Sequence, residues 1–446
     1  MKNLDHAAQQ NHNLPAGKSE VFRIWWPLAL TWIMMAIESP FISALIARQA
    51  EPVINLAAFG VAHAVGFLME APVIMLMAAA VRLVRDQTSF RQLWRFTMLL
   101  NIGVSVGMLM LIATPLYAIF AAQFLGLDEQ VAETTRRACL FLLPWPAMIG
   151  YRRFYQGILI HVGRSRAVAI GTVVRLLSLT GSAFILYRLQ ILDGASMGAL
   201  CLSIGVSMEA LAVRFLVHPY LVEIRQSQAQ AESQQMNLAW ISRFYFPLAM
   251  TGVLGLVAQP LVTLAMNRAR FPLESLAVLP VVNGLIFFFR AIPLSYQETI
   301  ISLLGKGEHY RQALRNFAWL LAISLSLLLI TITLTPLADL WLNGVAGLDE
   351  NLANFAKLPL QILIPTPVLT LVLCWHRSRL IHLNHTSPIT SASSLELAGI
   401  ACILALAIGV FDLVGAVAAS VALMGGRLLT IGYLQRKMQA FNTSSS

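Results

Sequence analysis

Apolar runs long enough to cross a lipid bilayer recur along the whole chain, and they constrain its fold more than any other feature. A helix needs about 20 mostly apolar residues to span the hydrocarbon core, and several runs here exceed about 18 residues. Only 12% of the residues are charged, whereas a soluble domain carries about 25%. The chain therefore lacks the polar surface that covers a globule in water, and we predict an all-α polytopic membrane protein.

Twelve membrane-spanning helices are predicted, in two sets of six. The spans are Phe22–Ala47, Leu56–Leu83, Phe96–Ala121, Ala138–Ile160, Ala167–Tyr187, Ala195–Val217, Phe244–Met266, Leu276–Leu304, Phe317–Leu342, Leu358–Trp375, Ile389–Val410 and Val414–Leu434. The predicted organisation is a cytoplasmic tail (1–21), an N-lobe (22–222), a cytoplasmic linker (223–238), a C-lobe (239–436) and a C-terminal tail (437–446). The first segment has no apolar core, so it is no signal peptide.

The second six-helix set repeats the first at an offset of 220–221 residues. Gly126–Glu129 returns as Gly347–Glu350, and the prolines Pro144 and Pro146 return as Pro365 and Pro367. These prolines should kink spans 4 and 10, for bending during transport or simply for packing. Since six is an even number, both halves have the same orientation. We therefore expect a pseudo-two-fold axis along the membrane normal and a substrate path between the lobes.

The net charge of +10 arises from Lys and Arg at the ends of apolar runs, which indicates membrane topology and not nucleic-acid binding. With both termini in the cytoplasm, nineteen basic residues lie inside and seven outside. This bias predicts cytoplasmic termini, in a bacterial inner membrane. The four cysteines lie in or beside apolar spans and indicate neither a disulfide framework nor a metal site.

Several segments resemble the progressive ankylosis protein family. They are PLAL and PLAM in spans 1 and 7, LAAFGVAHAVGF in span 2, LDEQVAETTRRACLFLLPWP before and in span 4, and PLQILIPTPVLT in span 10. That family is allied to the multidrug and toxic compound extrusion transporters, within the multidrug/oligosaccharidyl-lipid/polysaccharide exporter superfamily. The resemblance runs from about Phe22 to Arg436. It implies two six-helix lobes in a V around a cavity, and outward secondary transport. Animal relatives are associated with export of pyrophosphate, nucleotides and citrate.

Charged side chains within spans mark the candidate site, because each costs about 2.5–3.5 kcal/mol at a helix centre unless it faces the protein interior or water. On the repeat, Glu70 aligns with Arg290 and Arg175 aligns with Glu396. In one alternative the aligned charges form ion pairs between the lobes. In the other they pair within each lobe, Glu70 with Arg175 and Arg290 with Glu396. Their role is either to bind or gate a substrate, or only to neutralise one another.

Further polar residues extend this prediction. The predicted substrate-binding or gating set is Arg175, Arg290, Glu70, Glu396, His63, Asn283, Arg153 and Glu298. The predicted ion-coupling set, for Na+ or H+, is Glu38, Glu70 and Glu209. Glu38 precedes Pro40, which can free carbonyl groups in the preceding turn; the alternative is that a neighbouring helix satisfies this carboxylate. The basic residues at span ends are assigned to topology, or alternatively to a cationic vestibule that gathers anions; they are Arg152, Arg153, Arg164, Arg166, Arg377 and Arg379.

The predicted function is secondary active transport that exports a small anion such as pyrophosphate, a nucleotide or citrate. The alternatives are a Na+- or H+-coupled exporter of cationic drugs and a lipid-linked saccharide flippase. The sequence contains no G-x-x-x-x-G-K-[ST] loop and its histidines are scattered, so we expect neither an ATP-hydrolysing motif nor an enzyme. The expected partners are membrane lipids and the substrate, with no nucleic acid, no cofactor beyond a coupling ion, and a monomeric state.

The topology can be tested by thiol labelling. A cysteine at position 129 should react with a membrane-impermeant reagent from outside only, whereas a cysteine at position 306 should react from inside only, because the positive-inside rule orients the spans. Labelling of position 129 from the cytoplasmic side alone would show that this orientation is wrong.

Overall fold

The structure, a computed structural model, describes residues 18–444 except 47, 120, 122–128, 227–235, 267, 347 and 349. Most of the predicted N-terminal tail and of the linker between the lobes lies outside the described residues. So do parts of the repeated segments Gly126–Glu129 and Gly347–Glu350. Within the described ranges the chain is helical, apart from turns and one isolated bridge between Arg270 and Val414.

The N-lobe helices, in chain order, are α1 (Lys18–Ile46), α2 (Pro52–Glu70), α3 (Leu76–Leu83), α4 (Gln87–Ala113), α5 (Leu116–Ile119), α6 (Glu129–Phe141), α7 (Trp145–His161), α8 (Ser165–Leu189) and α9 (Gly194–Gln226). The C-lobe helices are α10 (Leu238–Met266), α11 (Pro272–Leu294), α12 (Tyr296–Leu304), α13 (Tyr310–Leu334), α14 (Leu337–Asp339), a π-helix (Leu340–Val345), α15 (Glu350–Ile362), α16 (Thr366–His382), α17 (Ser387–Gly409) and α18 (Gly415–Ser444). Corresponding helices of the two lobes follow the predicted offset, since α1 and α10 begin 220 residues apart and α7 and α16 begin 221 apart.

The predicted fold class is confirmed. Nine helical segments of the described chain are long and apolar enough to cross a membrane, with α11–α12 and α15–α16 each counted as one. The other three predicted spans correspond to α1, to α2 with α3, and to α6 with α7. The structure is thus consistent with twelve spans in two lobes, and the chain is an integral membrane protein.

Four of the spans are interrupted. Spans 4 and 10 break at the predicted prolines, where Pro144 caps α7 and Pro365 caps α16. Spans 2 and 8 also break, between Glu70 and Leu76 and at Ser295, which the sequence analysis did not predict. Proline lacks a backbone N–H and disrupts the helical hydrogen-bond ladder, and one lies near each of these two breaks as well.

The first helix of each lobe joins the two lobes. The beginning of α1 packs in the core of the C-lobe through Val21, Ile24, Trp25 and Ala29, and its end packs in the N-lobe through Ile42 and Ile46. The beginning of α10 packs in the N-lobe core through Ile241, Phe244, Tyr245 and Leu248, and its end packs in the C-lobe through Val262 and Met266. This reciprocal packing joins the lobes at the end where α1 and α10 begin.

Two equivalent side chains hold this joint. The Trp25 indole N–H donates to the Ser295 hydroxyl over 3.0 Å, and the Tyr245 hydroxyl donates to the Pro72 carbonyl over 2.6 Å. Trp25 lies against Phe317 and Tyr245 against Phe96, each with ring centroids 5.2 Å apart in an edge-on arrangement. Each hydrogen bond therefore connects the first helix of one lobe to a helix break in the other.

Further contacts across the lobes lie at the same end. The Arg82 guanidinium donates to the His382 carbonyl over 2.8 Å, and the Ser302 hydroxyl donates to the Ile160 carbonyl over 3.1 Å. Gly252 of α10 permits close backbone approach, since a Cβ there would lie 2.7 Å from the Ala71 carbonyl oxygen. We call this end of the molecule the joint.

The joint makes a conformational prediction. Trp25→Phe and Tyr245→Phe keep an aromatic ring but remove a hydrogen bond worth about 1 kcal/mol, so each should shift the joined state by about five-fold. The measurement is electron–electron resonance between spin labels at positions 130 and 351, two exposed, repeat-equivalent sites at the start of α6 and α15. A smaller population of the joined state should shorten the distance between these two labels.

The matched control is Tyr187→Phe, which removes a hydroxyl on α8 away from the joint. Cys402, the exposed native cysteine, is replaced by serine in every variant so that labels stay specific. Equal distance distributions in the native protein and both joint variants would contradict the prediction.

Candidate functional site

A closed network of buried charges lies inside the N-lobe. Arg152 of α7 pairs with Glu209 of α9, and Arg175 of α8 pairs with Glu38 of α1. The Arg175 guanidinium also lies 3.6 Å from Glu209, so the two ion pairs are linked. These four residues are at most 4% exposed. Their two positive and two negative charges cancel.

Neutral side chains complete the contacts of Glu209. The Gln156 amide donates to one carboxylate oxygen of Glu209 over 3.0 Å, and the Thr172 hydroxyl donates to the same oxygen over 3.1 Å. Arg152 and Gln156 are four residues apart on α7, which places them on one helix face. Gly171 lets α8 approach α9, since a Cβ there would lie 2.7 Å from Val213. We call the four charged side chains together with Gln156 and Thr172 the N-lobe network.

The network corrects two expectations about charge pairing. Neither Glu70 with Arg175 nor Glu70 with Arg290 forms an ion pair, because Arg175 is held by Glu38 and Glu209. Arg290 likewise forms no pair with Glu396, which pairs with Arg427 instead. These buried charges therefore pair within their own lobes, but with different partners from those expected.

The topology assignment of three arginines also needs correction. Arg152 is 1% exposed and Arg153 is 6% exposed, and Arg152 precedes the end of α7 by about 13 Å. Arg377, the repeat equivalent of Gln156, precedes the end of α16 by about 7.5 Å. These side chains lie inside the lobes and do not belong to the loops. Without the three, sixteen basic residues remain on the predicted inner side against seven outside, so the predicted orientation still follows.

The equivalent place in the C-lobe carries a different set of charges. Arg427 of α18 lies 3.0 Å from Glu396 of α17, and Arg377 of α16 donates to the Ser393 hydroxyl over 3.2 Å. Arg290 of α11 lies within electrostatic range of all three charged groups. Three guanidinium groups and one carboxylate thus lie within electrostatic range of one another. We call Arg290, Arg377, Glu396 and Arg427 the C-lobe cluster.

The C-lobe cluster has unused hydrogen-bonding capacity. The buried Nε atoms of Arg290 and Arg377 have no hydrogen-bond partner in the described part of the chain, and the N-lobe network likewise contains unpartnered N–H groups on Arg152 and Arg175. The Arg427–Glu396 pair is partly accessible, with 17% and 16% of the side chains exposed. An excess of positive charge, free donors and a partly accessible ion pair together make this cluster suited to binding an anion.

Arg153 and Glu298 meet at the boundary between the lobes. Together they line a small interior cavity of about 10 Å³ with Trp32, Met35 and Met77. The Arg153 guanidinium lies 3.7 Å from the Met77 sulfur, and one Glu298 oxygen has no hydrogen-bond partner among the described residues. Both were predicted site residues, and the structure brings them together.

The remaining predicted residues lie apart from the C-lobe cluster. Glu70 ends α2 and is 4% exposed, with no ion pair in the described ranges. His63 lies among the rings of Phe59, Phe67 and Trp145, with centroids 4.4–5.9 Å away. Asn283 is partly buried, at the position equivalent to His63.

Two side chains of the N-lobe network, Gln156 and Thr172, were missed by the sequence analysis. A usable signal existed, because Gln156 aligns with Arg377 and Thr172 with Ser393 on the repeat. No group of three or more His, Cys, Asp or Glu side chains that could hold a metal occurs among the residues that the structure describes.

Comparison with known proteins identifies the fold. No family profile and no curated protein matches the sequence. Solved structures do match over nearly the whole chain. One is a transporter of the MOP superfamily from Pyrococcus furiosus (TM-score 0.74, 13% identity, 96% of this chain and 97% of that one), described as having a binding pocket whose reverse polarity suggests a different function.

Two further matches are MATE transporters. One is the Vibrio cholerae transporter VcmN, solved in a mutant form (TM-score 0.70, 15% identity, 95% and 97% covered). The other is the eukaryotic transporter AtDTX14 (TM-score 0.71, 11% identity, 94% and 95% covered). The chain therefore has the MATE fold, as the resemblance implied at the superfamily level. All three are described as transporters, while the progressive ankylosis resemblance itself stays a prediction.

The N-lobe network makes a stability prediction. Glu209→Gln leaves two buried guanidinium groups without their shared carboxylate and should cost about 3–5 kcal/mol. Thr172→Val removes one hydrogen bond and keeps every charge, so it should cost about 1 kcal/mol. Thermal unfolding of the purified protein in detergent measures both. The control is Glu133→Gln, which breaks an exposed pair with Arg137 and should have little effect. Equal melting temperatures for Glu209→Gln and the control would contradict the prediction.

Proposed function

We propose that this protein is a secondary transporter that exports a small anion by alternating access of its two lobes. The carrying observation is the C-lobe cluster, in which Arg290, Arg377 and Arg427 lie within electrostatic range of a single carboxylate, Glu396. An arginine stays protonated in proteins, so this excess of positive charge persists at any physiological pH. A cationic substrate would be repelled there, whereas an anion would be attracted.

The N-lobe network supports the same assignment by contrast. Its carboxylates are already bound by Arg152 and Arg175, so binding a cation at Glu38 or Glu209 would require breaking a buried ion pair. Breaking such a pair costs several kcal/mol. The network is therefore suited to holding α1, α7, α8 and α9 together. The pocket of reverse polarity described for the Pyrococcus furiosus structure is an example of altered charge in this fold.

A binding step follows from the geometry of the C-lobe cluster. The free Nε–H groups of Arg290 and Arg377 donate to an incoming anion, and the anion competes with Glu396 for Arg427. The cluster spans α11, α16, α17 and α18. Binding in one lobe state and return of Glu396 to Arg427 in the other would couple occupancy to lobe movement, since a ligand shifts an equilibrium only by its differential affinity.

The coupling ion is part of this proposal. Of the three carboxylates predicted for ion coupling, Glu70 is the one without an ion pair in the described chain, and it ends α2 at a helix break. A buried carboxylate of this kind can take up a proton or Na+ while the anion moves. We therefore assign coupling to Glu70, with Glu38 and Glu209 held in the network.

Transport in proteoliposomes tests the proposal. Labelled pyrophosphate, citrate and ATP should be transported, and ethidium should not. Arg290→Gln and Arg427→Gln should each lower anion transport by roughly ten- to one-hundred-fold, because a hydrogen bond to a charged group contributes about 1.5–3 kcal/mol. The control is Arg436→Gln, an exposed arginine near the end of α18, which should transport at the native rate.

Anion export and cationic drug export have opposite outcomes in this assay. Normal anion transport by both variants would show that the C-lobe cluster does not bind the substrate. Ethidium efflux that Glu70→Gln abolishes would assign the protein to cationic drug export instead.

A further inference from the structure

Two cavities at the joint are lined by basic side chains from both lobes. The first, of about 450 Å³, lies between the end of α3, the beginning of α10 and the turn between α16 and α17. Its basic lining residues are Arg82, Arg85, Arg243 and His385. No Asp or Glu is among its described lining residues. One wall is aromatic, since the rings of Trp240 and Phe244 stack with centroids 5.7 Å apart. We call it joint pocket 1.

The second cavity has the same character. It measures about 670 Å³ and lies between the beginning of α1, the turn between α7 and α8, the end of α9 and the loop after α12. Its basic lining residues are Arg23, Arg164, Arg166 and Lys306. The described lining contains no carboxylate, but the Lys306 ammonium group lies 4.0 Å from Glu20, which is not a lining residue. The Arg164 guanidinium lies 5.5 Å above the Tyr220 ring. We call it joint pocket 2.

The two pockets are related by the repeat, but most of their basic residues are not. Arg23 of joint pocket 2 is equivalent to Arg243 of joint pocket 1, and residues 163–167 are equivalent to 384–388. Apart from that arginine, the strongly basic positions differ, since Arg166 aligns with Ser387 and Lys306 aligns with Asp86. The positive lining of each pocket therefore arises mostly from different positions of the repeat.

The pockets differ from basic residues that only orient a membrane protein. Topology needs positive charge near span ends, with no requirement for a concave site. Here the charges line cavities, and each cavity takes basic groups from both lobes. Joint pocket 1 combines Arg82 and Arg85 of the N-lobe with Arg243 of the C-lobe, and joint pocket 2 combines Arg23 of the N-lobe with Lys306 of the C-lobe.

We propose that each joint pocket binds a phosphate group, carried by an acidic phospholipid or free in solution, and that this binding holds the lobes together at the joint. An anion between basic groups of the two lobes attracts both and offsets their mutual repulsion. It is therefore bound more tightly when the lobes are joined, and it shifts the equilibrium toward that state. This proposal is independent of which substrate the C-lobe cluster binds.

The test uses the full chain in nanodiscs, with Cys402→Ser and spin labels at positions 130 and 351. One arm compares phosphatidylcholine alone with phosphatidylcholine containing phosphatidylglycerol. The other adds inorganic phosphate to phosphatidylcholine nanodiscs. In at least one arm the long-distance population, which reports the joined state, should increase. An increase with phosphatidylglycerol alone identifies a lipid headgroup, and an increase with inorganic phosphate identifies the free anion.

The variants are Arg243→Gln in joint pocket 1 and Arg166→Gln in joint pocket 2, both exposed side chains. Each should raise the half-saturating anion concentration by about five-fold, the contribution of one basic residue near an acidic surface. The matched controls are Arg91→Gln and Arg436→Gln, exposed arginines at helix ends that line neither pocket.

Two results would overturn the proposal. One is a distance distribution that neither anion changes. The other is an equal loss of response in the pocket variants and the controls, which would show that the anion acts on general surface charge. Anion transport by the unlabelled variants is measured separately, so a failure of the proposed substrate assignment is distinguishable from a failure of this one.

Discussion

A polypeptide within hydrocarbon must satisfy its own backbone polar groups, because no water is present to do so. Four spans of this chain are interrupted, and each interruption removes helical hydrogen bonds. At span 4, the Ser203 hydroxyl donates to the Phe141 carbonyl over 2.6 Å within the same lobe. At span 2 the donor to Pro72 is Tyr245, which belongs to the other lobe. Tyr245 can donate this hydrogen bond only while the lobes are joined. Satisfaction of the Pro72 carbonyl therefore depends on the relative position of the lobes.

The same scaffold holds two different charge sets at equivalent positions. Gln156 and Arg377 are equivalent, as are Arg175 and Glu396, yet one lobe is neutral at this place and the other has excess positive charge. Burial explains how each persists. The N-lobe network is almost fully buried and therefore must pair every charge. The C-lobe cluster is less deeply buried at its Arg427–Glu396 pair, where 17% and 16% of the side chains are exposed.

Positive charge thus occurs in two physical settings with different consequences. Inside the C-lobe it lies among helices and defines the proposed anion site. At the joint, positive charge lines two cavities to which both lobes contribute. A phosphate bound there would favour the joined state of the lobes and would not itself cross the membrane. The small cavity at the boundary of the lobes is lined by Arg153 of the N-lobe and Glu298 of the C-lobe, which carry opposite charges. Lobe movement would change the distance between these two groups.

The sequence by itself determined the all-helical membrane fold, the two matched lobes and the breaks at Pro144 and Pro365. Span length, apolar composition and the missing N–H of proline act locally, so the residues alone reveal their effects. The sequence did not determine that Arg175 pairs with Glu38 and Glu209, or that Arg152 is buried. Only the tertiary structure decided these pairings, because they depend on how each helix is rotated about its axis and on which helices meet. Residues as far apart in the chain as Glu38 and Arg175 come together through those long-range contacts, and no local pattern encodes them.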